Sequence, residues 1–227
     1  IHILPELQLG GVERHVIDLA NEQARRGHQV MVLSAGGQME RQLHDEVSVR
    51  HLPVHKKNPL TGLYSALKIA YWIRREGWQI IHAHSRVPAW IANWAASLSH
   101  VPWVYTAHAV YSHNLGLHPL AKAASVICVS RAVQDDLQKY LPADRAVIYN
   151  GLPEKVPQWS CPDSSVPIIL AVGRLTPLKG IDTFLRALAL LKSRGETGWR
   201  FVIVGDGPQR RELERLAATL GILSSVE

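Results

Sequence analysis

Short runs of β-branched and other apolar residues alternate along this chain with longer stretches in which apolar residues recur every three or four positions. Such short runs are typical of buried strands, and the longer stretches are typical of amphipathic helices. Because helical patterns lie between most of the runs, we predict an α/β fold with parallel sheets and right-handed crossovers. The pattern predicts nine strands, at residues 1–4, 29–33, 47–52, 79–82, 102–106, 125–129, 146–149, 168–172 and 200–204.

Helical periodicity is clearest in four stretches, and a fifth helical pattern begins at Ile181. Ser130 is a suitable N-cap for one helix, and Pro208 suits the first turn of another. The four stretches are residues 12–26, 60–75, 131–140 and 208–220. The apolar period of the second stretch consists of five large side chains, Leu60, Leu63, Tyr64, Leu67 and Tyr71.

Residues 150–167 interrupt this rhythm with four prolines and no apolar period, which is typical of an interdomain linker. We therefore predict a first domain at 1–152, a linker at 153–166 and a second domain at 167–227. The part after the linker provides two strands and two helices, which is too little for a complete doubly wound sheet. We expect the second domain to be incomplete in this chain.

Composition and charge restrict the class of protein. With 47% hydrophobic and 19% charged residues the chain can form a real core, and no apolar run is long enough to cross a membrane. The net charge is +6, but the basic residues are scattered in pairs, which favours an anionic ligand or an acidic membrane surface over nucleic acid. Cys128 reads as a buried strand residue, and neither it nor Cys161 has metal-ligand spacing. Without a secretory signal, we expect a cytoplasmic protein, with the inner membrane face as an option.

Two glycine loops provide the candidate chemistry. Gly10-Gly11 follows the first predicted strand, and Glu13 lies just beyond it at the start of a helix. Gly173, Arg174 and Lys179 follow the strand at 168–172, ahead of the helix at Ile181. Backbone amides, cations and helix N-termini together favour a bound polyphosphate. The alternatives are a tight glycine turn and a solvated basic pair.

These loops belong to a longer series of motifs along the chain. The motifs are Leu9 to His15, Ala83-His84, Thr106-Ala107-His108, Val129-Ser130, Asn150-Gly151, Gly173-Arg174-Leu175 with Lys179-Gly180, and Val204 to Pro208. In their order and spacing they resemble family 4 of the GT-B glycosyltransferases, the retaining nucleotide-sugar enzymes, over nearly the whole chain. The resemblance implies two Rossmann-like domains, a nucleotide diphosphate-sugar donor, a glycan or lipid-linked acceptor and no metal or other cofactor.

The resemblance also implies roles for single residues. Arg174 and Lys179 match the cations that neutralise the departing diphosphate, and His108 matches the histidine beside the donor sugar. His84 also follows a strand directly, but the evidence for a role in the site is weaker, since the chain has 12 histidines and such a placement arises easily by coincidence. Gly205, Asp206 and Gly207 lack the remainder of a dinucleotide fingerprint, so we expect a turn that faces the nucleotide.

Further expectations follow from the same resemblance. The family's Glu-x7-Glu motif would come after Glu227, so we expect residues 1–227 alone to be inactive and to bind the donor weakly. The full-length enzyme would act in cell-envelope polysaccharide or lipopolysaccharide synthesis.

Three other functions stay open. A nucleotide-sugar epimerase has the same GT-B architecture, and a non-catalytic binding module is the second option. A nicotinamide-dependent dehydrogenase is disfavoured because residues 8–13 contain no Gly-x-Gly-x-x-Gly motif.

Three tryptophans allow peripheral membrane contact. Trp90 and Trp94 are four residues apart, and Trp72 lies beside Arg74-Arg75. Tryptophans at helical spacing nevertheless pack more often in a core or a subunit contact.

Overall fold

The computed structural model describes residues 1–151, 166–196 and 198–227. The chain divides into two compact units, Ile1–Pro153 and Glu154–Glu227, and each unit has its own hydrophobic core. The predicted linker, apart from residue 166, lies outside the described residues, as does Cys161. The predicted domain limits border this gap and stay predictions.

A seven-stranded parallel sheet forms the first unit, in the order β3-β2-β1-β4-β5-β6-β7. Each strand lies within a residue or two of its predicted limits, and Cys128 is buried in β6 as predicted. The strands are β1 (His2–Ile3), β2 (Val30–Ser34), β3 (Val47–His51), β4 (Ile81–Ala83), β5 (Trp103–Ala107), β6 (Ser125–Cys128) and β7 (Arg145–Val147).

The strand order reverses between β1 and β4. From β1 the chain builds outward through β2 to β3, then returns to place β4 on the other side of β1 and continues outward to β7. In an open parallel sheet, such a reversal leaves a crevice at the carboxyl ends of the two strands, where ligands bind. The segments after β1 and β4 are therefore the place to look for a site.

Four helices pack on this sheet. Ser130 caps the fourth as predicted, because its Oγ accepts a hydrogen bond from the Val133 amide at 3.2 Å. That helix ends earlier than predicted and continues as a 3-10 turn, Gln138–Tyr140. The helices are α1 (Gly11–Arg25), α2 (Pro59–Glu76), α3 (Arg86–Ser99) and α4 (Arg131–Leu137).

Helix α2 packs on the core with the side opposite to its five large apolar residues, although their periodicity predicts that they face the core. Its buried residues are mostly small, and close helix packing selects them: a Cβ on Gly62 would lie 3.0 Å from Cζ3 of Trp94 in α3. The five large side chains of the apolar period are 46–77% exposed. The buried set is Gly62, Ser65, Ala66, Ile69, Ala70 and Ile73.

The described part of the second unit is a parallel pair of strands, β8 (Ile168–Val172) and β9 (Arg200–Val204), with two helices. Helix α5 spans Ile181–Ser193, beginning where the sequence predicts, and α6 spans Arg210–Thr219. Pro208 lies in the turn before α6 and not in its first turn, so the predicted helix start is two residues early. Among the described residues of both units, no helix has the length and apolar character that crossing a bilayer requires.

Candidate active site

A cluster of histidines occupies the crevice where the strand order reverses. His2 in β1 is the register partner of His82 in β4, and His84 follows β4 directly. His108 follows β5, the next strand of the sheet. Because the carboxyl ends of parallel strands meet at one edge, sequence positions far apart come together here. His2, His82 and His84 are all buried.

Three of these histidines form a continuous hydrogen-bonded chain. His2 Nδ1 lies 3.0 Å from His84 Nε2, and His84 Nδ1 lies 3.2 Å from His108 Nε2. The other nitrogen of the first imidazole, His2 Nε2, lies 2.7 Å from the side-chain oxygen of Gln23 in α1. Sequence analysis singled out two members of this chain, His84 and His108, and the structure places them in direct contact.

The Gln23 oxygen fixes which histidine donates and which accepts in each of these hydrogen bonds. An amide oxygen only accepts hydrogen bonds, so His2 must donate through Nε2 and keep Nδ1 unprotonated. His84 then donates through Nε2 to that nitrogen, and His108 donates through Nε2 to His84 in turn. The Nδ1 lone pair of His108 is left at the end of the chain, with no hydrogen-bond partner in the described part of the protein.

Burial keeps these imidazoles neutral. It lowers the pKa of His2 to about 3 and that of His108 to about 4. The pKa values of His82 and His84 also lie well below the usual range, with desolvation as the first cause and the neighbouring histidines as the second. His82 Nε2 has a separate partner, the Thr106 hydroxyl at 2.7 Å. At neutral pH the cluster therefore accepts and donates hydrogen bonds without carrying charge.

Helix α1 covers the cluster and adds a further histidine. The His15 ring lies 5.0 Å from that of His108, edge to face. Burial lowers the pKa of His15, against a smaller opposing effect of Asp18. Eight positions, a little over two helical turns, separate His15 from Gln23, so one side of α1 provides both contacts.

Two groups within this cluster have nitrogens close enough to share a metal ion. His2, His82 and His84 form one group, and His15, His84 and His108 form the other; in each, the ligand atoms lie within 4.8 Å of one another. The nitrogens that link His2, His84 and His108 are engaged with one another, and neither group contains a carboxylate. The expectation of a metal-independent mechanism stays a prediction.

The glycine loop ahead of α1 is open. Gly10 has extended backbone, with φ of 179°, and a Cβ built on Gly11 meets nothing within 4 Å. Backbone conformation therefore requires glycine at neither position, which argues against the tight-turn alternative. A Cβ on Gly10 would collide with the Glu13 carboxylate, so this side chain folds back over the loop. The α1 N-terminus has no side-chain cap, which leaves its amides available to a ligand.

In the second unit, the two predicted loops are bonded together at the carboxyl edge of β8 and β9. The Gly173 amide donates to Val204 O at 3.0 Å, and the Leu175 amide donates to Asp206 O at 2.9 Å. A Cβ on Gly205 would overlap the Gly173 carbonyl, and one on Gly207 would overlap the Leu175 carbonyl. Close backbone approach is thus the structural reason for both glycines.

Arg174 and Lys179 project from these bonded loops. Both are exposed, and neither forms an ion pair with any described residue. The stem of Lys179 lies along Gly173, where an added Cβ would be 3.6 Å from Lys179 Cδ. The main chain of this segment is fixed by hydrogen bonds, while its two charges remain open to an anion.

Sequence reasoning missed His2, His82 and Gln23, and it assigned no role to His15, the last residue of the first motif. A signal was present for two of them: His2 and His82 are polar residues inside short apolar runs predicted as buried strands. A buried imidazole needs hydrogen-bond partners, so each position pointed to a polar contact. The partners themselves depend on the strand order and could not be read from the sequence.

Comparisons with known proteins agree with this architecture. Residues 9–155 match the model of Glycosyltransferase Family 4, and residues 158–227 match that of Glycosyl transferases group 1. The GPI3 subunit of phosphatidylinositol N-acetylglucosaminyltransferase from Saccharomyces cerevisiae is 26% identical over 254 residues. That alignment covers 96% of this chain and 56% of the yeast protein, so the chain spans about half the length of this curated relative.

Solved structures confirm the predicted GT-B fold class. A glycosyltransferase from Rickettsia africae superposes with a TM-score of 0.76 at 28% identity, covering 100% of this chain and 67% of that one. Anabaena HepE in complex with UDP-glucose superposes with a TM-score of 0.78 at 21% identity, with the same coverage. The second likeness shows the fold alone.

The histidine cluster predicts that acid destabilises the first unit. An unfolded histidine titrates near 6.5, well above the folded values, so the unfolded chain binds more protons below that pH. The free energy of unfolding should therefore fall as the pH drops from about 6.5 toward 4, by about 1.4 kcal/mol per pH unit for each buried histidine. Urea denaturation followed by tryptophan fluorescence at several pH values measures this slope.

A matched pair of variants tests the origin of that slope. His82→Gln should reduce the pH dependence of the free energy of unfolding by the contribution of one histidine, because His82 is buried. His28→Gln, at an exposed histidine, should leave it unchanged. A stability that is independent of pH between about 7 and 5 contradicts the prediction.

The direction of the hydrogen bonds that join His2, His84 and His108 predicts the same tautomer for all three histidines. Nitrogen-15 NMR of the imidazoles should show His2, His84 and His108 all protonated on Nε2 at neutral pH. Gln23→Leu removes the acceptor that fixes this direction and should shift His2 toward a mixture of tautomers. Protonation of any of the three on Nδ1 contradicts the direction assigned to these hydrogen bonds. Displacement of the proton on Nε2 of His84 by Zn²⁺ contradicts it as well.

Proposed function

The chain belongs to glycosyltransferase family 4, and on that premise we propose that the whole protein moves a sugar from a nucleotide diphosphate donor to an acceptor hydroxyl. Transfer proceeds with retention of the anomeric configuration. The observation that carries the proposal is the pair of cations Arg174 and Lys179, which form no ion pair with any described residue and are held on a hydrogen-bonded loop at the carboxyl edge of β8. The yeast relative is named as a sugar transferase, and HepE was solved with UDP-glucose, which supports a nucleotide-sugar donor.

In this proposal Arg174 and Lys179 neutralise the leaving diphosphate. Negative charge builds on the leaving oxygen as the glycosidic bond breaks, and fixed cations stabilise that charge in the transition state. Gly173, Gly205 and Gly207 contribute by allowing the backbone to pack closely beneath them, and Asp206 turns its carboxylate back onto the Gly207 amide at 2.8 Å. Because these two cations balance the negative charge of the diphosphate, we propose that no metal ion is required.

His108 has a different role because it is neutral. An imidazole with a pKa of about 4 does not balance a phosphate charge at neutral pH, but its open Nδ1 lone pair accepts a hydrogen bond from a sugar hydroxyl. His84 fixes the ring of His108 from behind at 3.2 Å. The open amides at Gly10 and Gly11 provide donors on the same edge of the first unit, with Glu13 beside them.

Retention is proposed by a front-face route. A double displacement needs a carboxylate nucleophile beside the anomeric carbon, and no suitable pair of carboxylates stands out within residues 1–227. Departure of the diphosphate on the same face as the incoming hydroxyl, assisted by the cations, is the consistent alternative. A nucleotide-sugar epimerase would use much of the same site, and a product assay that separates free epimer from glycoside distinguishes the two. A non-catalytic module would give neither product.

We propose a glycan or lipid-linked acceptor and a role in cell-envelope polysaccharide or lipopolysaccharide synthesis. The yeast relative is named for phosphatidylinositol, a lipid, which supports an acceptor at a membrane surface. The protein would then work in the cytoplasm at the inner face of the membrane, without binding nucleic acid. The specific polysaccharide role rests on the family resemblance alone.

Helix α2 is the proposed membrane contact, in place of the tryptophans. Trp72 packs against the core beneath the Arg50 guanidinium, which lies 4.6 Å from the ring centroid. The large apolar side chains of α2 are exposed instead, and Lys68, Arg74 and Arg75 lie on the same helix. An apolar face flanked by cations suits the interface of an anionic bilayer.

Removal of the two cations tests the catalytic proposal. Arg174→Ala and Lys179→Ala in the full-length protein should each lower kcat by about 100-fold or more, because each removes charge stabilisation made in the transition state. Arg186→Ala, at an exposed arginine of α5, is the matched control and should keep normal turnover. Wild-type transfer rates in both site variants would exclude the proposed roles.

Vesicle binding tests the membrane contact. Leu63→Gln together with Leu67→Gln should weaken co-sedimentation with anionic vesicles by at least about tenfold, because each leucine loses its favourable transfer free energy. Ile148→Gln, at another residue that is 54% exposed, is the control. If the double variant instead dissociates a dimer and binds vesicles normally, the face pairs two copies of the chain and the membrane proposal fails.

A further inference from the structure

A cavity of about 820 Å³, large enough to hold a sugar, lies at the reversal of strand order. It lies within the first unit, between the segment that leads into α2 and the start of α3. Pro5, just after β1, and Ser85, directly after His84, both line it. The cavity therefore opens beside the histidine chain, where an acceptor hydroxyl would have to reach the transferred sugar.

The charge around this cavity is of one sign. Lys56, Lys57 and Arg86 line it, and none of its lining residues is an aspartate or glutamate. Within the described residues, none of the three cations forms an ion pair. Arg86 is held in place by two neutral contacts: its guanidinium lies 5.4 Å from the Tyr111 ring centroid and donates to Ser112 Oγ at 3.2 Å.

Aromatic rings also line the cavity. Trp90 and Trp94 line the cavity from consecutive turns of α3, with ring centroids 5.8 Å apart. Gly62 of α2 brings the two helices close enough to seat the Trp94 ring, as the 3.0 Å approach of its virtual Cβ shows. Flat aromatic faces pack well on the apolar face of a sugar or cyclitol ring, and nearby cations suit an anionic substituent on that ring.

We propose that this cavity binds a phosphate ester carried on a polyhydroxylated ring, as the anionic part of the acceptor. The inference rests on the proposed function, since it assigns the acceptor of that reaction. Arg86 and Lys56 bind the phosphate, Trp90 packs on the ring, and a ring hydroxyl is left facing the histidine edge. The ester is either a free sugar phosphate or the headgroup of a lipid.

Binding of simple probes tests the proposal without turnover. The chain carrying Arg174→Ala and Lys179→Ala is titrated with glucose 6-phosphate, glucose and inorganic phosphate, with NMR shifts of the Trp90 and Trp94 indoles as the readout. Removing Arg174 and Lys179 prevents phosphate bound at the proposed diphosphate site from entering the result. Glucose 6-phosphate should bind at least about tenfold more tightly than glucose, and should shift both indoles, because charge-assisted hydrogen bonds are the stronger ones.

Charge variants identify the cavity as the site. Lys56→Gln and Arg86→Gln should each weaken glucose 6-phosphate binding about five- to tenfold and leave glucose unchanged. Lys139→Gln removes the same charge from an exposed position outside the cavity and should have no effect. Should Arg86→Gln fail to fold, Lys56→Gln still decides, because Lys56 is exposed. Equal affinity for glucose and its phosphate, or wild-type binding in Lys56→Gln, overturns the proposal.

An experiment with lipid vesicles distinguishes a lipid headgroup from a free sugar phosphate as the bound ester. Phosphatidylcholine vesicles with and without phosphatidylglycerol are compared for their shift of the indoles. A Lys56-dependent shift with the anionic vesicles alone assigns a lipid headgroup, and a shift with glucose 6-phosphate alone assigns a free sugar phosphate. If the full-length protein transfers no sugar, the bound ester is not an acceptor, but the binding result itself stands. Conversely, normal transfer with no response to these variants overturns the cavity assignment alone.

Discussion

The hydrogen bonds that join His2, His84 and His108 are the interaction on which the site of the first unit depends. Three desolvated imidazoles at the centre of a sheet are costly unless their nitrogens are paired. Pairing requires β1, β4 and β5 to be adjacent and α1 to place Gln23 at 2.7 Å from His2. The same arrangement that satisfies the buried groups also holds His108 so that its Nδ1 lone pair has no partner among the described residues. Stability and site geometry therefore have a common cause in this unit.

The two units divide the chemistry of the proposed reaction by charge. The first unit presents neutral imidazoles and open backbone amides, which orient hydroxyl groups. The second presents Arg174 and Lys179 on a loop fixed by main-chain hydrogen bonds, which suits a diphosphate. Burial explains the difference, because a histidine kept from water loses its charge whereas an exposed arginine or lysine keeps it.

Small residues decide where the large ones go. Gly62, Ala66 and Ala70 allow α2 to lie close against its neighbours, and this contact turns the leucines and tyrosines of the helix outward. An apolar period was visible in the sequence, but it marked the exposed face. The close contact of α2 with α3 also shapes the aromatic wall of the cavity, so the exposed apolar face and the cavity share one structural origin.

Apart from helix α3 (Arg86–Ser99), which none of the predicted helical stretches covers, the sequence by itself determined the nine strands, the positions of the helices, the fold class and the loops at Gly10, Gly173 and Gly205. These follow from local periodicity and turn chemistry, which any short window of residues carries. The sequence also selected His84 and His108 by their place after strands. Only the tertiary structure decided their partners, the exposed side of α2 and the sign of charge around the cavity. Each of these depends on residues distant in the chain that strand order and helix packing bring into contact, and no local pattern records such contacts.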